Sequence, residues 1–258
     1  MERKSEFVVD GVAALARGLE LLRCFSPQEP ELSNGELATH SGLPKSTVSR
    51  LTRTLVELGY LRHDAARRRY RVGPSVLALG YAALANLRVR DLARPHMQAL
   101  ADATQALVSL ATRDRLAMIY LENCRSASSV TLRLNVGTQL PLASTSIGRA
   151  FLAGLPAAER DYLLAQLAAR EGEAWPAQAA AIARELARYR AQGYCLSIGE
   201  WKRDVNAAAV PLASAQGTDL LVLSISGPAF AVTPRGLEEE LAPRLVALAR
   251  HIEALGAG

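Results

Sequence analysis

Residues 33–62 read SNGELATHSGLPKSTVSRLTRTLVELGYLR, and this stretch decides the fold of the N-terminal part of the chain. Ser33, followed three residues later by Glu36, forms a capping-box pattern, which predicts that a helix begins here. Gly42 can adopt the left-handed conformation that ends a helix, and Pro44 fits the first turn of the next one. The sequence therefore predicts two helices joined by a tight turn, which is a helix-turn-helix.

The second of these helices is predicted to run from Pro44 to Leu58. Its apolar residues follow one another at intervals of three, four and three, which is helical spacing; they are Val48, Leu51, Leu55 and Leu58. Small Ala38 lets the two helices approach closely, Gly42 makes the turn, and Val48 fills the angle between them. In a twenty-residue unit that starts at Asn34 these residues occupy positions five, nine and fifteen. That combination favours a helix-turn-helix over an unrelated pair of helices.

Short hydroxyls and long cations occupy the outward face of the same helix. They are Lys45, Ser46, Thr47, Ser49, Arg50 and Arg53. Such side chains contact phosphates and base edges. The alternative is a solvated helix face, but such a face usually carries both signs of charge for i,i+4 pairing, and the first acid here is Glu57. We therefore predict that this face binds duplex DNA, with Ser33 contributing from the start of the preceding helix.

A two-stranded hairpin is predicted after the second helix, from residues 60–62 and 70–72. The polar turn between them, HDAARRR, ends in three adjacent arginines, Arg67, Arg68 and Arg69. A hairpin in this place makes a winged helix-turn-helix. Arginines at or near the tip of the wing can enter a minor groove or pair with phosphate.

The charge distribution agrees with a nucleic-acid partner. The 258 residues carry 30 basic and 25 acidic side chains, a formal net charge of +5. Residues 44–71 alone hold eight basic and two acidic side chains, so their excess is larger than that of the whole chain. A charge cluster usually forms a solvated surface, but the helix-turn-helix pattern beneath this one favours contact with phosphate.

The remainder of the sequence predicts an α+β arrangement with a mostly antiparallel sheet covered by helices, able to hold a small molecule. Residues 74–94 have a helical pattern, and Pro95 is predicted to start a new helix at a domain boundary. The further predicted helices are 95–104, 146–169, 176–192 and 234–254, and the predicted strands are 106–112, 116–124, 129–137, 194–198, 205–213 and 219–226.

Three stretches together resemble the N-terminal domain of the IclR family of bacterial transcriptional regulators. They are ALARGLELLRCF, ELATHSGLPKSTVSRLTRTLVELGYL and RYRVGPSVLALG, and the similarity covers residues 12–80. The resemblance implies a winged helix-turn-helix DNA-binding domain over 10–73 and a linker helix over 74–94 that helps subunits pair. It implies a GAF-like effector-binding and oligomerisation domain over 95–258. A dimer or tetramer on a palindromic operator in the cytoplasm is the expected assembly.

The resemblance continues into VGTQLPLASTSIGRAFLA, GYCLSIGEW and LSISGPAFAVTP, which in the family line an effector cup. Carried over by position, the lining residues are Ser146, Ile147, Ser197, Ala207, Ser224 and Ser226. Trp201 is a candidate stacking wall, with Lys202, Arg203 or Arg133 as a possible cation, and core packing is the alternative for Trp201. Backbone N–H groups near residues 145–148, where a helix begins, can hold a carboxylate. The expected effector is a small organic acid or aromatic metabolite.

This sequence departs from the family pattern at four places in the inferred cup. The family histidine is Ala143 here, the lysine of Gly-Lys-Ala is Arg149, the acid of the acidic run is Ser197, and a position that is Cys or Ser in members is Ala207. These changes remove charge and hydrogen-bond donors from the cup. The resemblance therefore carries over the site, and not one particular effector.

The sequence argues against two other classes of function. An enzyme lacks support because the sequence has no phosphate loop, no Gly-x-Gly-x-x-Gly and no paired acid and base, and because Cys195 with His96 has no local signature of a nucleophile. A DNA architectural protein without a ligand leaves the long C-terminal part unexplained. The three cysteines and four histidines show no metal-ligand spacing, so no cofactor is expected. No run of 18 apolar residues and no secretory signal are found, so no membrane partner is expected.

Overall fold

The computed structural model describes residues 12–127, 134–213 and 220–256. The chain divides into two compact units between Asn86 and Leu87. Within the described ranges, no helix combines the length and the apolar character needed to cross a bilayer.

The first unit packs helices against a small antiparallel sheet whose strand order is β1-β3-β2. Its buried core comprises Leu21, Leu32, Leu37, Val48, Leu55 and Leu61. This is a winged helix-turn-helix, as predicted. Its elements are α1 (Ala13–Leu22), β1 (Glu31–Ser33), α2 (Asn34–Ser41), α3 (Lys45–Glu57), β2 (Leu61–Asp64), β3 (Arg69–Val72) and α4 (Pro74–Ala85).

The local signals around the turn are confirmed, with two corrections. The capping box is formed, and Gly42 ends α2 with φ +68°. Pro44 lies just before α3, with an extended ψ of 140°, so it precedes the first turn instead of occupying it. Leu58 is not part of the buried stripe: it follows the last turn and is 60% exposed. Thr52 takes the inner position, since its hydroxyl donates to the Val48 carbonyl at 2.9 Å inside the core.

Strand β1 was not predicted from the sequence. Its three residues pair with β3, so that Leu32 lies opposite Tyr70. A strand this short gives no alternating pattern, and its last residue, Ser33, also caps α2. Ser33 was therefore interpreted only as the start of a helix, and the strand that it ends was not predicted.

The prediction that Pro95 starts a helix is wrong. The helical pattern over 74–94 breaks at Asn86 and Leu87, and α5 (Arg88–Thr104) runs straight through Pro95. A proline inside a helix loses one backbone hydrogen bond. Here Arg90 and Arg94 hold the part of the helix before the proline by pairing with the buried carboxylate of Glu122, at 2.7 and 3.5 Å. Met97 and Ala101, after the proline, are buried in the core.

The second unit is built on a six-stranded sheet of order β6-β5-β4-β9-β8-β7, with every pairing antiparallel. This confirms the predicted α+β class. The elements after α5 are β4 (Leu107–Asp114), β5 (Ala117–Cys124), β6 (Gln139–Pro141), α6 (Ser146–Gly154), α7 (Ala157–Glu171), a 3₁₀ turn (Gly172–Ala174), α8 (Trp175–Gln192), β7 (Cys195–Ile198), β8 (Val205–Leu212), β9 (Leu221–Pro228), α9 (Pro234–Gly236), a π turn (Leu237–Leu241) and α10 (Ala242–Gly256).

Two hydrophobic cores flank this sheet. Leu223 and Ile225 of β9 belong to the core that includes α5 and α10. Val222 of the same strand belongs to the other core, with Ile147 of α6 and Leu167 of α7. Alternate side chains of a strand point to opposite faces, so helices cover both faces of the sheet.

Two predicted elements of this unit need correction. The helix predicted over 146–169 is interrupted at Leu155, because a residue before a proline is pushed out of the helical region, and α7 starts only after Pro156. Of the strand predicted over 129–137, residues 129–133 lie outside the described residues and 134–137 form no strand. The short β6 pairs with β5 instead.

Candidate nucleic-acid interface and ligand cavity

The predicted DNA-contacting face of α3 lies on the surface of the first unit. Val48, Thr52 and Leu55 point into the core and so turn the opposite side of the helix outward. Exposed side chains there are Lys45, Ser46, Ser49, Arg50 and Arg53, and Thr47 is half-buried. Hydroxyls and cations thus form one continuous solvent-facing strip.

Arg53 has a partner on this face in the absence of DNA. Its Nε donates to Oε1 of Glu57 at 3.0 Å, one helical turn away, and both side chains are exposed. An exposed i,i+4 ion pair contributes about 0.3–0.5 kcal/mol. A DNA phosphate can therefore replace the Glu57 carboxylate as the partner of Arg53 with only a small loss of free energy.

The three wing arginines divide into two groups. Arg67 and Arg68 are exposed in the turn between β2 and β3, and Arg68 has a left-handed backbone with φ +53°. Arg69 belongs to strand β3, where it donates to both carboxylate oxygens of Glu36 at 3.1 and 3.2 Å and to the Glu31 carbonyl at 2.9 Å. Arg68 points a positive charge outward. Arg67 is also exposed but lies 3.7 Å from the Glu31 carboxylate and 4.0 Å from that of Asp64, and Arg69 ties the wing to α2.

Ser33 acts on the backbone of α2. Its hydroxyl accepts from the Glu36 N–H at 3.3 Å, and the Glu36 carboxylate accepts from the Ser33 N–H at 2.7 Å. The structure thus gives Ser33 a positioning role at the start of the helix, next to the charged pair of Glu36 and Arg69.

A cavity in the second unit brings together all seven residues predicted to contact an effector. It encloses about 370 Å³ of space free of atoms, part of it open to solvent. Strands β5 to β9, the start of α6, and the segments before β6 and after β7 form its walls. The lining residues are Tyr120, Leu134, Leu140, Thr145, Ser146, Ile147, Ser197, Trp201, Val205, Ala207, Ser224 and Ser226.

One wall of the cavity is the N-terminus of α6. The Thr145 hydroxyl caps this helix by accepting from the Gly148 N–H at 3.2 Å. Gly148 passes so close to the chain that an added Cβ would lie 1.9 Å from the Leu142 carbonyl oxygen. The first N–H groups of a helix have no partner within the helix and carry its positive dipole end. With Ser146 and Ile147 in the wall, this end of α6 can receive an anion.

The sheet contributes hydroxyl groups to another wall. Ser224 and Ser226 of β9 are only 1% and 4% exposed, and neither Oγ has a hydrogen-bond partner among the described residues. Burial raises the pKa of Tyr120 to about 12, an effect that the nearby hydroxyls of Ser109 and Ser224 partly offset. The phenol is therefore neutral at physiological pH. A buried hydroxyl left unpaired is costly, which is the condition expected of a wall that receives a polar ligand group.

Charged side chains are missing from the lining as the structure describes it. Lys202 lies 4.6 Å above the ring of Trp201 and is exposed, as is Arg203, so neither predicted cation faces the cavity. Arg133, the third candidate, lies outside the described residues. Trp201, which was a candidate because it lies near the cup segments in sequence, lines the cavity and also packs against the neighbouring hydrophobic core, the alternative role for this side chain.

Sequence reasoning missed five lining residues. They are Tyr120, Leu134, Leu140, Thr145 and Val205. Tyr120 carried a usable signal, because it occupies a buried position in a strand whose residues alternate strictly between buried and half-buried. A large polar side chain at such a position points into the protein and needs a partner there.

The rejected nucleophile is confirmed as a core cysteine. Cys195 is fully buried, its Sγ lies 3.5 Å from the Glu185 carbonyl, and burial raises the pKa of the thiol to about 12. A thiol that stays protonated is a poor nucleophile. Among the described residues, no group of three or more His, Cys, Asp or Glu side chains is placed to hold a metal ion.

Comparison with known proteins places both units in one family. Residues 14–65 match the model described as the IclR helix-turn-helix domain, and residues 81–254 match that of the bacterial transcriptional regulator IclR C-terminal. The HTH-type transcriptional regulator TsaQ1/TsaQ2 of Comamonas testosteroni is 36% identical over 245 residues, which cover 94% of this chain and 88% of the relative.

Solved structures give the same result. The crystal structure of an IclR family transcriptional regulator from Brucella abortus has a TM-score of 0.87 and 47% identity, covering 99% of this chain and 95% of the other. An IclR homolog from Microbacterium hydrocarbonoxydans, crystallised in complex with 4-hydroxybenzoate, has a TM-score of 0.71 and 24% identity, covering 94% and 96% of the two chains. At that identity the second structure shows a shared fold.

Proposed function

Because this chain belongs to the IclR family of transcriptional regulators, we propose that it binds an operator through α3 and the wing and that a small molecule in the cavity modulates this binding. The observation that carries the DNA half of the proposal is the continuous exposed strip of hydroxyls and cations on α3. The observation that carries the ligand half is a cavity with unpaired buried hydroxyls and a helix N-terminus in its walls.

The DNA contacts divide by chemistry. Arg50 and Arg53 are long enough to reach base edges or phosphates, while Ser46, Thr47 and Ser49 suit short contacts close to the helix. Lys45 adds a phosphate contact at the helix start. Arg67 and Arg68 extend from the wing toward the minor groove or the backbone. We assign Arg69 and Ser33 to holding these elements in place, since both are engaged with Glu36.

A homo-oligomer completes this arrangement. Helix α4 has no buried residue and exposes Leu77, Leu79 and Tyr81. Exposed apolar patches commonly mark protein contacts, and the resemblance assigns this helix to subunit pairing. A dimer, alone or within a tetramer, presents two copies of α3 to half-sites about one helical turn apart, so the operator is expected to be palindromic.

Charge reversal on α3 tests the DNA assignment. Arg50→Glu and Arg53→Glu should each abolish operator binding in a mobility-shift assay while the circular dichroism spectrum stays unchanged. Arg235→Glu is a matched control, because Arg235 is an exposed arginine with an i,i+4 acid, Glu239, in the second unit. Operator binding that survives both changes on α3 would remove this assignment.

The cavity favours a small carboxylate with an apolar or aromatic body and a hydroxyl group. The α6 N-terminus suits the carboxylate, Trp201 and Ile147 suit the body, and Ser224 with Ser226 suit the hydroxyl. The relative from Microbacterium hydrocarbonoxydans was crystallised with 4-hydroxybenzoate, a molecule of this class. That complex supports the class and leaves the particular effector to experiment.

Binding of probe molecules tests the ligand assignment. Titration calorimetry with 4-hydroxybenzoate should show binding, and the uncharged 4-hydroxybenzamide should bind more weakly, since it lacks the anion that the helix end favours. A ligand that modulates the operator must have different affinities for the free and DNA-bound protein, so its addition should shift the operator titration. If no compound in a panel of small acids and aromatics binds, the result would favour an architectural DNA-binding protein that has no ligand. As a bacterial DNA-binding regulator, the protein is proposed to act in the cytoplasm.

A further inference from the structure

Arg149 is a fully buried cation beside the cavity. Its side chain is 1% exposed and lies in α6, one turn after the residues that form the cavity wall. Nε donates to the Ala143 carbonyl at 3.1 Å, Nη1 donates to the Leu196 carbonyl at 3.1 Å, and Nη2 pairs with the carboxylate of Glu200. One guanidinium thus connects three separate segments of the chain.

Each of these segments carries cavity-lining residues. Ala143 begins the segment that leads through Thr145 into α6, and Leu196 precedes Ser197 on β7. Glu200 directly precedes Trp201. Arg149 itself does not line the cavity, so it acts on the walls from behind.

Glu200 is the most adjustable partner of Arg149. It lies in the loop between β7 and β8, and its side chain is 31% exposed, whereas the other two partners are backbone carbonyls. The loop leaves β7 at Gly199, whose φ of +63° is a conformation that favours glycine. Arg184 of α8 holds the second carboxylate oxygen of Glu200 at 3.1 Å from the solvent side.

We propose that Glu200 is a positioning residue of the ligand cavity, which fixes the Trp201 wall by pairing with the buried Arg149. The effect on ligand affinity rests on the proposed function of the cavity; the effect on Trp201 does not. A buried guanidinium strongly favours a paired carboxylate, because a single buried charge without its partner is costly. The pair therefore holds Glu200, and with it the next residue of the loop, against the end of α6.

The departure from the family pattern at Arg149 fits this role. From the sequence, the acid of the family pattern is replaced by Ser197, which predicts a cup poorer in charge. In this structure the Arg149 guanidinium lies behind the cavity wall, and the carboxylate of Glu200, three residues after Ser197, pairs with it. Ser197 does not pair with Arg149; its hydroxyl donates to the Ser144 carbonyl at 3.1 Å.

The experiment uses Trp201 as a reporter. Trp175→Phe leaves Trp201 as the single tryptophan of the full-length chain. In this background, Glu200→Gln removes the charge and keeps the shape of the side chain, and Glu239→Gln removes a matched charge from an exposed pair in the same unit. Acrylamide quenching and the emission maximum of ligand-free protein report how exposed Trp201 is.

We expect Glu200→Gln to increase the quenching of Trp201 and shift its emission to longer wavelength, and Glu239→Gln to change neither. Arg184→Gln should change Trp201 less than Glu200→Gln, because the buried partner remains. Affinity for 4-hydroxybenzoate should fall between about threefold and a hundredfold in Glu200→Gln, the range seen when contacting groups are uncoupled. Operator binding by the ligand-free protein should stay as it was.

The outcomes separate the two proposals. An unchanged Trp201 signal in Glu200→Gln overturns the positioning role, whatever the ligand does. A changed Trp201 signal in a protein that binds no carboxylate probe supports the positioning role and counts against the proposed ligand class. If Glu200→Gln does not fold, Glu200→Asp keeps the charge and shortens the arm by one methylene, so the quenching of Trp201 must still change; its constancy there also overturns the proposal.

Discussion

Arg69 in strand β3 and Glu36 in helix α2 form a bidentate ion pair, with Nη1 and Nη2 at 3.1 and 3.2 Å from the two carboxylate oxygens. The two residues are 33 positions apart in sequence, and the pair links the wing to the first turn of the helix-turn-helix. Glu36 also closes the capping box with Ser33. The same carboxylate therefore sets both the start of α2 and the position of the wing.

Because Arg69 is paired with Glu36 and Arg68 is not, substitutions of these two wing arginines should have different effects on stability and on operator binding. Arg68→Gln removes an exposed charge, so it should leave thermal stability unchanged and reduce the log–log salt slope of operator binding by about 1. Arg69→Gln breaks the link to α2, so it should lower the melting temperature of the first unit and weaken operator binding through misplacement of the wing. Fluorescence anisotropy at several salt concentrations, with melting curves, measures both. Equal melting temperatures for the two variants would show that Arg69 is a surface charge like its neighbours.

The Glu36 pair should also give the first unit an acid-sensitive component of stability. The backbone N–H and hydroxyl of Ser33 and then the charge of Arg69 hold the pKa of the Glu36 carboxyl below its ordinary value of 4.5. A carboxyl whose pKa is lower in the folded state stabilises the fold at pH above its ordinary pKa, and the contribution disappears as pH falls through the lowered value. Melting temperatures should therefore drop more steeply below about pH 4.5 in the parent than in Glu36→Gln. Parallel curves for the two proteins would contradict the assignment.

The helix-turn-helix could be predicted because its signals are local. Ser33, Glu36 and Gly42 act through bonds and dihedral angles within a few residues, so their spacing in the sequence carries the geometry. Pro95 misled because its local preference was outweighed by a contact that the sequence does not display, the pairing of α5 with Glu122 on β5. Tertiary contacts routinely override local propensity.

The cavity shows the same difference between what local sequence reveals and what depends on tertiary contacts. Six of its predicted residues came from a resemblance to a family and the seventh, Trp201, from its nearness in sequence, and all seven line one space. The link between Arg149 and Glu200 spans 51 residues and joins a helix to a loop, so no periodicity in either segment reveals it. Tyr120 lay within reach of reasoning from strand alternation, whereas the two aliphatic residues around β6 depend on a segment whose strand was misplaced.

The tight approach of α6 to the preceding segment predicts a strong effect at Gly148. In Gly148→Ala the new Cβ would lie 1.9 Å from the backbone oxygen of Leu142, so either the helix start or that segment must move. Overpacking of this kind typically costs about 1–3 kcal/mol of the free energy of unfolding, and ligand binding should weaken with it. Gly80→Ala is the control, since its Cβ meets no atom within 4 Å in α4; there alanine should stabilise the helix by about 0.5–1 kcal/mol. Chemical denaturation measures both, and a neutral Gly148→Ala would rule out the close contact.

The buried thiols should be unreactive and should make the second unit sensitive to alkali. Burial raises the pKa of Cys195 from 9.0 to about 12 and that of Cys124 to about 11, with the Glu122 charge adding to the second shift. A group with a raised pKa in the folded state stabilises the fold fully below its unfolded pKa, and this contribution is lost as pH rises. Stability should therefore decline above pH 9, and less so in Cys195→Ala. A thiol reagent at neutral pH should label half-buried Cys24 first and the other two only on unfolding; rapid labelling of three thiols would contradict this.

The unpaired hydroxyls of the cavity should show opposite effects on stability and on binding. Ser224 and Ser226 are buried without a hydrogen-bond partner among the described residues. Removal of an unpaired hydroxyl should cost the ligand-free protein nothing, so Ser226→Ala should raise the free energy of unfolding by up to about 1 kcal/mol. Ser224→Ala should raise it less, because the Ser224 hydroxyl also interacts with the Tyr120 phenol. The same variants should bind 4-hydroxybenzoate about tenfold more weakly, the effect of one lost hydrogen bond. Benzoate, which lacks the hydroxyl, should bind parent and variants alike.

Ser197 provides the control for this last comparison, because its hydroxyl lines the same cavity and already donates to the Ser144 carbonyl at 3.1 Å. Ser197→Ala should therefore lower the free energy of unfolding by about 1 kcal/mol, the reverse of the other two serines. Denaturant titrations measure the free energy of unfolding of the three variants, and calorimetry measures their affinity for the ligand. Three serines that behave alike would mean that the hydroxyls of β9 are structural, and the hydroxyl-binding wall of the cavity would have to be sought elsewhere.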